Sequence, residues 1–184
     1  MSNRNLTTKE AFELAVKNHQ KNNIKEAQNF YSKILEIDPN FANAHYNLGN
    51  IFKELGENQK AKECYEKVIK INPNHADAHY NFGNIFKELG EHQKAKECYE
   101  KAIKIDPNFA NALNNLGVIF KELRENQKAK ECFEKTIEIN PSYVNAHNNL
   151  GAIFQRLGEN QKAKKCYEKA IEINPDLFDT LSNI

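Results

Sequence analysis

Asn47, Asn81, Asn115 and Asn149 recur at a step of 34 residues, and Asn183 falls on the same step. A side-chain amide carries donors and an acceptor together, so it can pair with both the N–H and the C=O of a passing peptide. A row of such amides would hold an extended chain by its backbone, largely whatever its side chains. Two other residue types of chemical interest keep the same period: Cys64, Cys98, Cys132 and Cys166, and His45, His79 and His147. Equivalent residues in stacked helical units lie at least one helix-packing distance apart, about 8–10 Å. A disulfide needs Cα atoms roughly 4.4–6.8 Å apart, and four thiolates around one zinc must converge more closely still. The cysteines are therefore expected to be reduced, buried filler, and the histidines to be part-buried packing residues. The sequence contains no nucleophile–base pair, Gly-rich phosphate loop, HExxH or convergent carboxylate pair. No metal, no cofactor and no enzymatic activity is expected, so the function to seek is binding.

Composition narrows the partner. The 184 residues hold 26 Lys and Arg against 25 Asp and Glu, for a formal charge of +1. Such a chain exerts no general pull on nucleic acid or anionic lipid. No apolar run approaches the roughly 18 residues of a membrane span. The opening MSNRNLTTKE is polar and lacks the apolar core of a signal peptide, which points to a cytoplasmic chain. A glycosylation sequon at Asn5 would matter only in a secreted protein.

The amides need elements to carry them. Pro39, Pro73, Pro107, Pro141 and Pro175 also recur at 34 residues, each after a helical run that it stops. Asn40, Asn74, Asn108, Ser142 and Asp176 follow them and are expected to cap the next helix. Within 42–75, Ala44, Leu48, Ile51, Phe52 and Leu55 repeat at helical spacing and predict a first helix ending near Gly56. Gly56, Gly90 and Gly158 suit a left-handed C-cap, while Arg124 at the same register would be strained. Ala61, Cys64, Tyr65, Val68 and Ile69 predict a second helix, joined by a short turn and so antiparallel to the first. Gly49, in mid-helix, costs about 1 kcal/mol against Ala and is explained by close approach of the second helix, with Ala61 as the matching small residue. Thr136 interrupts an otherwise apolar column.

The pattern His45-x-x-Leu48-Gly49-x-x-Phe52, Ala61-x-x-x-Tyr65, Pro73 resembles the tetratricopeptide repeat, with His45 where the family usually has Trp. On this reading a polar tail (1–7) precedes a divergent first repeat (8–41), four regular repeats (42–75, 76–109, 110–143, 144–177) and the start of a sixth (178–184). The first copy carries Ala15 for the Gly and Asn18 for the Phe, as a terminal repeat can. The resemblance implies an all-α, right-handed superhelical solenoid whose first helices line a concave groove. Ile171, Leu177, Leu181 and Ile184 would leave an apolar edge at the C-terminal end. This suggests either a chain cut from a longer protein or a homo-oligomer formed through that edge.

Asn43, Asn47, Asn50 and Glu54 fall at steps of 4, 3 and 4 and make one polar stripe, flanked by Tyr46 and Lys53. Asp77, Asn81, Asn84 and Glu88 with Tyr80 and Lys87 repeat it. Asn111, Asn115, Val118 and Glu122 with Asn114 and Lys121 follow, then Asn145, Asn149, Ala152 and Arg156 with Asn148 and Gln155. The Asn column is similar to the asparagine ladder of O-linked N-acetylglucosamine transferases, whose repeats present protein substrates to a separate catalytic domain. The chaperone-tail receptors of the family are a poorer likeness, because Tyr46, Asn111 and Asn115 stand where their cations are required. The segment ENQKAKECYEK at 57–67 returns almost verbatim in later repeats. Its Lys and Glu residues suit pairing on a solvated helix face. If idle surface residues are copied so faithfully, duplication alone would also copy the Asn column, and both readings stand. The resulting expectation is a scaffold that binds a protein or peptide through the Asn column, Tyr46, Tyr80, Asn50, Asn84, Asn114, Asn148, Lys53 and Lys87, with Arg156 tuning charge. The alternatives are the substrate-recruiting arm of a larger transferase and a self-assembly module.

Overall fold

The computed structural model describes residues 7–176. Leu177, Leu181, Asn183 and Ile184 lie outside that range. Ten α-helices account for the described secondary structure: α1 Thr8–Gln20, α2 Ile24–Ile37, α3 Ala42–Glu54, α4 Asn58–Ile71, α5 Ala76–Glu88, α6 His92–Ile105, α7 Ala110–Glu122, α8 Asn126–Ile139, α9 Val144–Arg156 and α10 Asn160–Ile173. They fall in two compact units, residues 1–91 and 92–184. In the first, α1 pairs with α2 and α3 with α4, while α2 packs on α3 and α4 on α5. In the second, α7 pairs with α8 and α9 with α10, while α6 packs on α7 and α8 on α9.

The turn inside each hairpin is closed by two backbone hydrogen bonds. Gly56 N–H donates to the Lys53 carbonyl and Glu57 N–H to the Phe52 carbonyl, which satisfies two carbonyls the helix end leaves open. The residue between must take a positive φ, and Gly56, Gly90 and Gly158 do so at +73°, +73° and +76°. Arg124 adopts φ +59° at the same register, so the expected strain is present. Asn22, one 34-residue step before Gly56, fills that position in the first hairpin at φ +60°.

The turn between hairpins differs from the expectation. The first helices begin after Phe41, His75, Phe109 and Tyr143, not after Asn40 and its equivalents. Of these N-cap residues only His75 caps with its side chain, Nδ1 accepting from the Ala78 N–H at 3.3 Å, and the loop is ordered instead by an Asx turn on the residue before each proline. Asp38, Asn72, Asp106, Asn140 and Asn174 each accept, through Oδ1, the backbone N–H two residues on. Proline at the centre of this turn forces its predecessor into extended backbone, and Asp38 sits at φ −129°, ψ 91°. A second tie closes the same turn. Nε2 of His45, His79 and His147 bonds the carbonyl of Pro39, Pro73 and Pro141 at 2.9, 2.9 and 2.8 Å.

The mid-helix glycines are explained by close approach, but the neighbour is not Ala61. A Cβ on Gly49 would lie 2.8 Å from Tyr65 Cε1 and 3.2 Å from Cys64 Cβ. One on Gly117 would lie 2.6 Å from Phe133, and one on Gly151 2.7 Å from Tyr167. Leu55 is a further departure. It is the C-cap residue, and it and its copies Leu89, Leu123 and Leu157 are about half exposed. All four cysteines are free. Cys98 and Cys132 are buried as expected, whereas Cys64 and Cys166 are only part-buried. Thr136 has no exposure and satisfies its hydroxyl by donating to the Cys132 carbonyl one turn back, at 2.8 Å.

The copied KAKE lysines take part in packing. Lys60 lies over the ring of Phe52, Lys62 over Phe86, Lys96 and Lys128 over Phe120, and Lys130 and Lys162 over Phe154, at 5.2–5.6 Å from the centroids. These are cation–π distances, worth about 0.5–1 kcal/mol each at exposed sites. A second helix thus places one Lys on its own repeat's Phe and another on the next. The solvated-face pairs also form, as in Lys96–Glu100, Lys130–Glu134 and Lys164–Glu168.

Candidate functional site

The repeating asparagines lie on α3, α5, α7 and α9, all part-buried. Each with a described contact is engaged with the protein itself. Asn47 donates from Nδ2 to the Tyr31 hydroxyl at 3.0 Å. Asn81 donates from Nδ2 to the Tyr46 hydroxyl and to Asn50 Oδ1, both at 3.2 Å. The Tyr65 hydroxyl donates to the same Asn50 oxygen at 2.9 Å. Tyr31 and Tyr65 have no solvent exposure, so their hydroxyls need partners from within the fold. Asn47 and Asn81 therefore have a structural role, meeting the hydroxyls of tyrosines whose rings fill the space between helices. The Tyr46 ring packs on Tyr65 and on His75, with centroids 6.2 and 4.8 Å away. Burial raises the phenol pKa of Tyr31, Tyr46 and Tyr65, which keeps them neutral hydrogen-bonding groups.

The second unit arranges the column differently. Residue 133, equivalent to Tyr31 and Tyr65, is Phe and offers no hydroxyl. Asn149, which stands in the same sequence relation to Phe133 as Asn47 does to Tyr31, accepts instead from Lys121 Nζ at 2.5 Å. Asn114, expected on an exposed flank, is only 5% exposed; its Nδ2 donates to Asn115 Oδ1 at 3.3 Å, and its own Oδ1 has no partner. Asn in place of Tyr46 or Tyr80 is too short to reach the surface from that position. Asn111 accepts from the Tyr143 hydroxyl at 2.9 Å. Arg156 donates to the Lys121 carbonyl and to Asn126 Oδ1, tying the end of α7 to the start of α8. Lys53, Lys87, Tyr80, Asn84 and Asn148 are part-buried along the same helices.

One stretch of the stripe borders an open concavity. Lys121, Asn148, Asn149 and Ala152 line a cleft of about 500 Å³ with Tyr167 and Ile171 of α10. Gln155 lines it too and accepts from the Tyr167 hydroxyl at 3.1 Å, so one ammonium and three amides border the cleft, a set that recognises hydrogen-bonding groups. Among the described residues no three His, Cys, Asp or Glu side chains gather as metal ligands, and no helix is long and apolar enough to cross a membrane.

A model for the tetratricopeptide repeat matches residues 42–75, 110–143 and 144–177. The chain belongs to the tetratricopeptide repeat family. A second model for the tetratricopeptide repeat matches 64–97, and one described as a TPR repeat matches 18–56 and 83–124. Solved structures of similar fold include MamA and YrrB, the latter described as a TPR protein. MamA is 28% identical, with 90% of this chain and 96% of that chain covered at a TM-score of 0.80. A MamA segment from Desulfovibrio magneticus is 22% identical, with 92% and 96% covered at 0.81. YrrB, described as having an unusual peptide-binding site, is 24% identical, with 96% and 91% covered at 0.80. The likenesses to the D. magneticus segment and to YrrB concern the fold alone. No curated protein sequence matches the chain. The tetratricopeptide fold is a scaffold type consistent with protein–protein interaction.

Proposed function

We propose that this chain is a scaffold that binds an extended protein segment along the Asn-bearing helices, with the cleft beside Asn149 as its principal contact. The observation that carries this reading is the cleft itself: five residues of the stripe, Lys121, Asn148, Asn149, Ala152 and Gln155, border an open depression with Tyr167 and Ile171. The described bonds of Asn47 and Asn81 run through Nδ2, and an amide oxygen can still accept from a peptide N–H. YrrB supports the reading only as a protein of this fold described as binding peptide. Asn149→Ala tests it cleanly, because the described partner of that amide is a lysine and not a buried tyrosine hydroxyl. Fluorescence anisotropy with a panel of unstructured labelled peptides should show weaker binding to the variant, and backbone N-methylation of a binding peptide should weaken it similarly. Affinity unchanged by both alterations, with the fold intact by circular dichroism, would remove the reading.

A second reading has one observation in its favour. Tyr65 is fully buried in a cluster with Ala61 and Ile85 of the following repeat, whereas its copy Tyr167 is part-exposed beside Ala163 and Ile171. We infer that this face of α10 associates with another copy. Sedimentation velocity across a range of concentrations tests it, and a monomer throughout would exclude it.

A further inference from the structure

One junction between repeats carries the opposite charge from its counterparts. Arg124, Asn126 and Arg156 line a notch of about 400 Å³ where the start of α8 meets the end of α9. One repeat earlier the same three places hold Gly90, His92 and Glu122, and two repeats earlier Gly56, Asn58 and Glu88. The acid there faces the start of the second helix. Glu122 lies 3.3 Å from His92 Nδ1, and Glu88 accepts from Asn58 Nδ2 at 3.4 Å. Arg156 keeps that contact but reverses its sign, donating to Asn126 Oδ1 at 3.1 Å. Arg124 adds a second cation at the same notch. Residues 121–131, KELRENQKAKE, differ from KELGENQKAKE at 53–63 at Arg124 alone. That single change stands on left-handed backbone, φ +59°, where a Cβ is unfavourable.

The two guanidinium charges are not neutralised. No carboxylate lines the notch. The acids nearest in sequence are engaged elsewhere, Glu122 by His92, Glu125 by Lys128 and Glu159 by Lys162. Arg156 bonds two neutral oxygens through Nη1, the Lys121 carbonyl and Asn126 Oδ1. Those bonds fix the plane of its guanidinium, whose Nε and Nη2 are further donors. Arg124 is exposed and meets no carboxylate among the described residues. The fourteen-residue α8 begins at Asn126, and its N-cap Glu125 makes no side-chain cap bond. The positive end of that helix therefore adjoins the two arginines.

A guanidinium fork matches carboxylate and phosphate oxygens alike. The charge decides between them. A phosphate monoester carries about −1.5 to −2 at pH 7 and three acceptor oxygens, enough for two arginines, whereas a single carboxylate leaves one of them unmet. We propose that this notch is an anion site that takes a phosphoryl group, either free or carried on a partner segment. The phosphoryl oxygens meet Arg124 and the Nε and Nη2 donors of Arg156. The site does not rest on binding in the cleft beside Asn149.

The test follows amide chemical shifts of the full chain at constant ionic strength, with two probes titrated separately: inorganic phosphate and the peptide acetyl-Ala-phosphoserine-Ala-amide. Shifts should centre on Arg124, Asn126 and Arg156. Arg124→Gly and Arg156→Glu each install the residue that the earlier junctions already use. Arg124→Gly should weaken binding about tenfold, as loss of one charge-assisted hydrogen bond allows, and the double variant should abolish it. Tighter binding of the peptide than of inorganic phosphate identifies a partner segment as the source, and equal affinities identify the free ion. Asn149→Ala should leave both titrations unchanged, so this site and the cleft succeed or fail separately. If circular dichroism shows the double variant unfolded, Arg124→Gly and the peptide acetyl-Ala-Glu-Ala-amide decide the matter. No saturable shift with either probe, equal binding of the Glu peptide, or binding unaltered by Arg124→Gly would overturn the proposal.

Discussion

Asn47 donates a side-chain N–H to the hydroxyl of Tyr31 at 3.0 Å, and Tyr31 has no solvent exposure. The pair joins α3 to α2 and gives the Asn column a reason to persist apart from any ligand. Removing one partner of a buried hydrogen bond costs about 1–3 kcal/mol, while removing both is far milder. Asn47→Ala should therefore lower stability by about 1–3 kcal/mol in the parent chain and by much less in Tyr31→Phe. Urea unfolding of the four members of this cycle measures the difference, and equal losses in both backgrounds would show that the bond contributes nothing.

Gly117 has no room for a methyl group. Its added Cβ would stand 2.6 Å from Cε1 of Phe133, a ring with no exposure and hence nowhere to move. Ala gains about 1 kcal/mol of helix propensity over Gly, but overpacking costs about 1–3 kcal/mol. Gly117→Ala should be net destabilising, and the loss should shrink when Phe133→Leu makes space. A thermal melt that rises on Gly117→Ala would contradict the geometry.

Arg124 offers the opposite change. It holds φ +59° where three other hairpins place glycine, at a cost of roughly 1–2 kcal/mol for a residue with a Cβ. Arg124→Gly should raise stability by about 1 kcal/mol in chemical denaturation, and Gly56→Ala should lower it by a similar amount. No change in either variant would mean that the turn relaxes around the side chain.

Burial, with Glu63, Glu97 and Glu131 adding to it, pushes the Cys64 thiol up to about 11 and those of Cys98 and Cys132 up to about 12, from an ordinary 9.0. The folded values exceed the unfolded one, so the native state holds these protons more tightly. The stability this brings is complete below pH 9 and is lost as pH rises towards 11–12. Urea midpoints should fall across that window, and less steeply for Cys98→Ala with Cys132→Ala. Alkylation at neutral pH should be slow, with Cys64 modified before the two buried thiols.

The repeat period, the helices and the left-handed turns are legible in the sequence because each depends on residues close along the chain. Gly56 announces its turn by lacking a Cβ, and Arg124 announces its strain by standing in the same place. Pro39 announces a stop, but the residue before it carries the turn. Asp38 is easily missed because a capping side chain after the proline, such as Asn40, looks sufficient. The contacts of the Asn column are not legible. Asn47 meets Tyr31 and Asn81 meets Tyr46 across helix packing, and neither pairing follows from a helical wheel. The copied lysines look idle for the same reason: the ring under Lys62 belongs to Phe86, in the next repeat. Phe133 in place of Tyr is visible in the sequence, but the bond from Lys121 to Asn149 emerges only when both are placed in space.

The turns within and between hairpins are closed by bonds between residues a few positions apart, such as Glu57 to Phe52, Asn40 to Asp38 and His45 to Pro39. A gene duplication that copies 34 residues therefore copies both corners along with the helices, and asks no distant segment to adjust. The near-verbatim recurrence of whole repeats in this chain is what such self-sufficiency permits: lineages can lengthen or shorten the array in whole units without first solving a new folding problem.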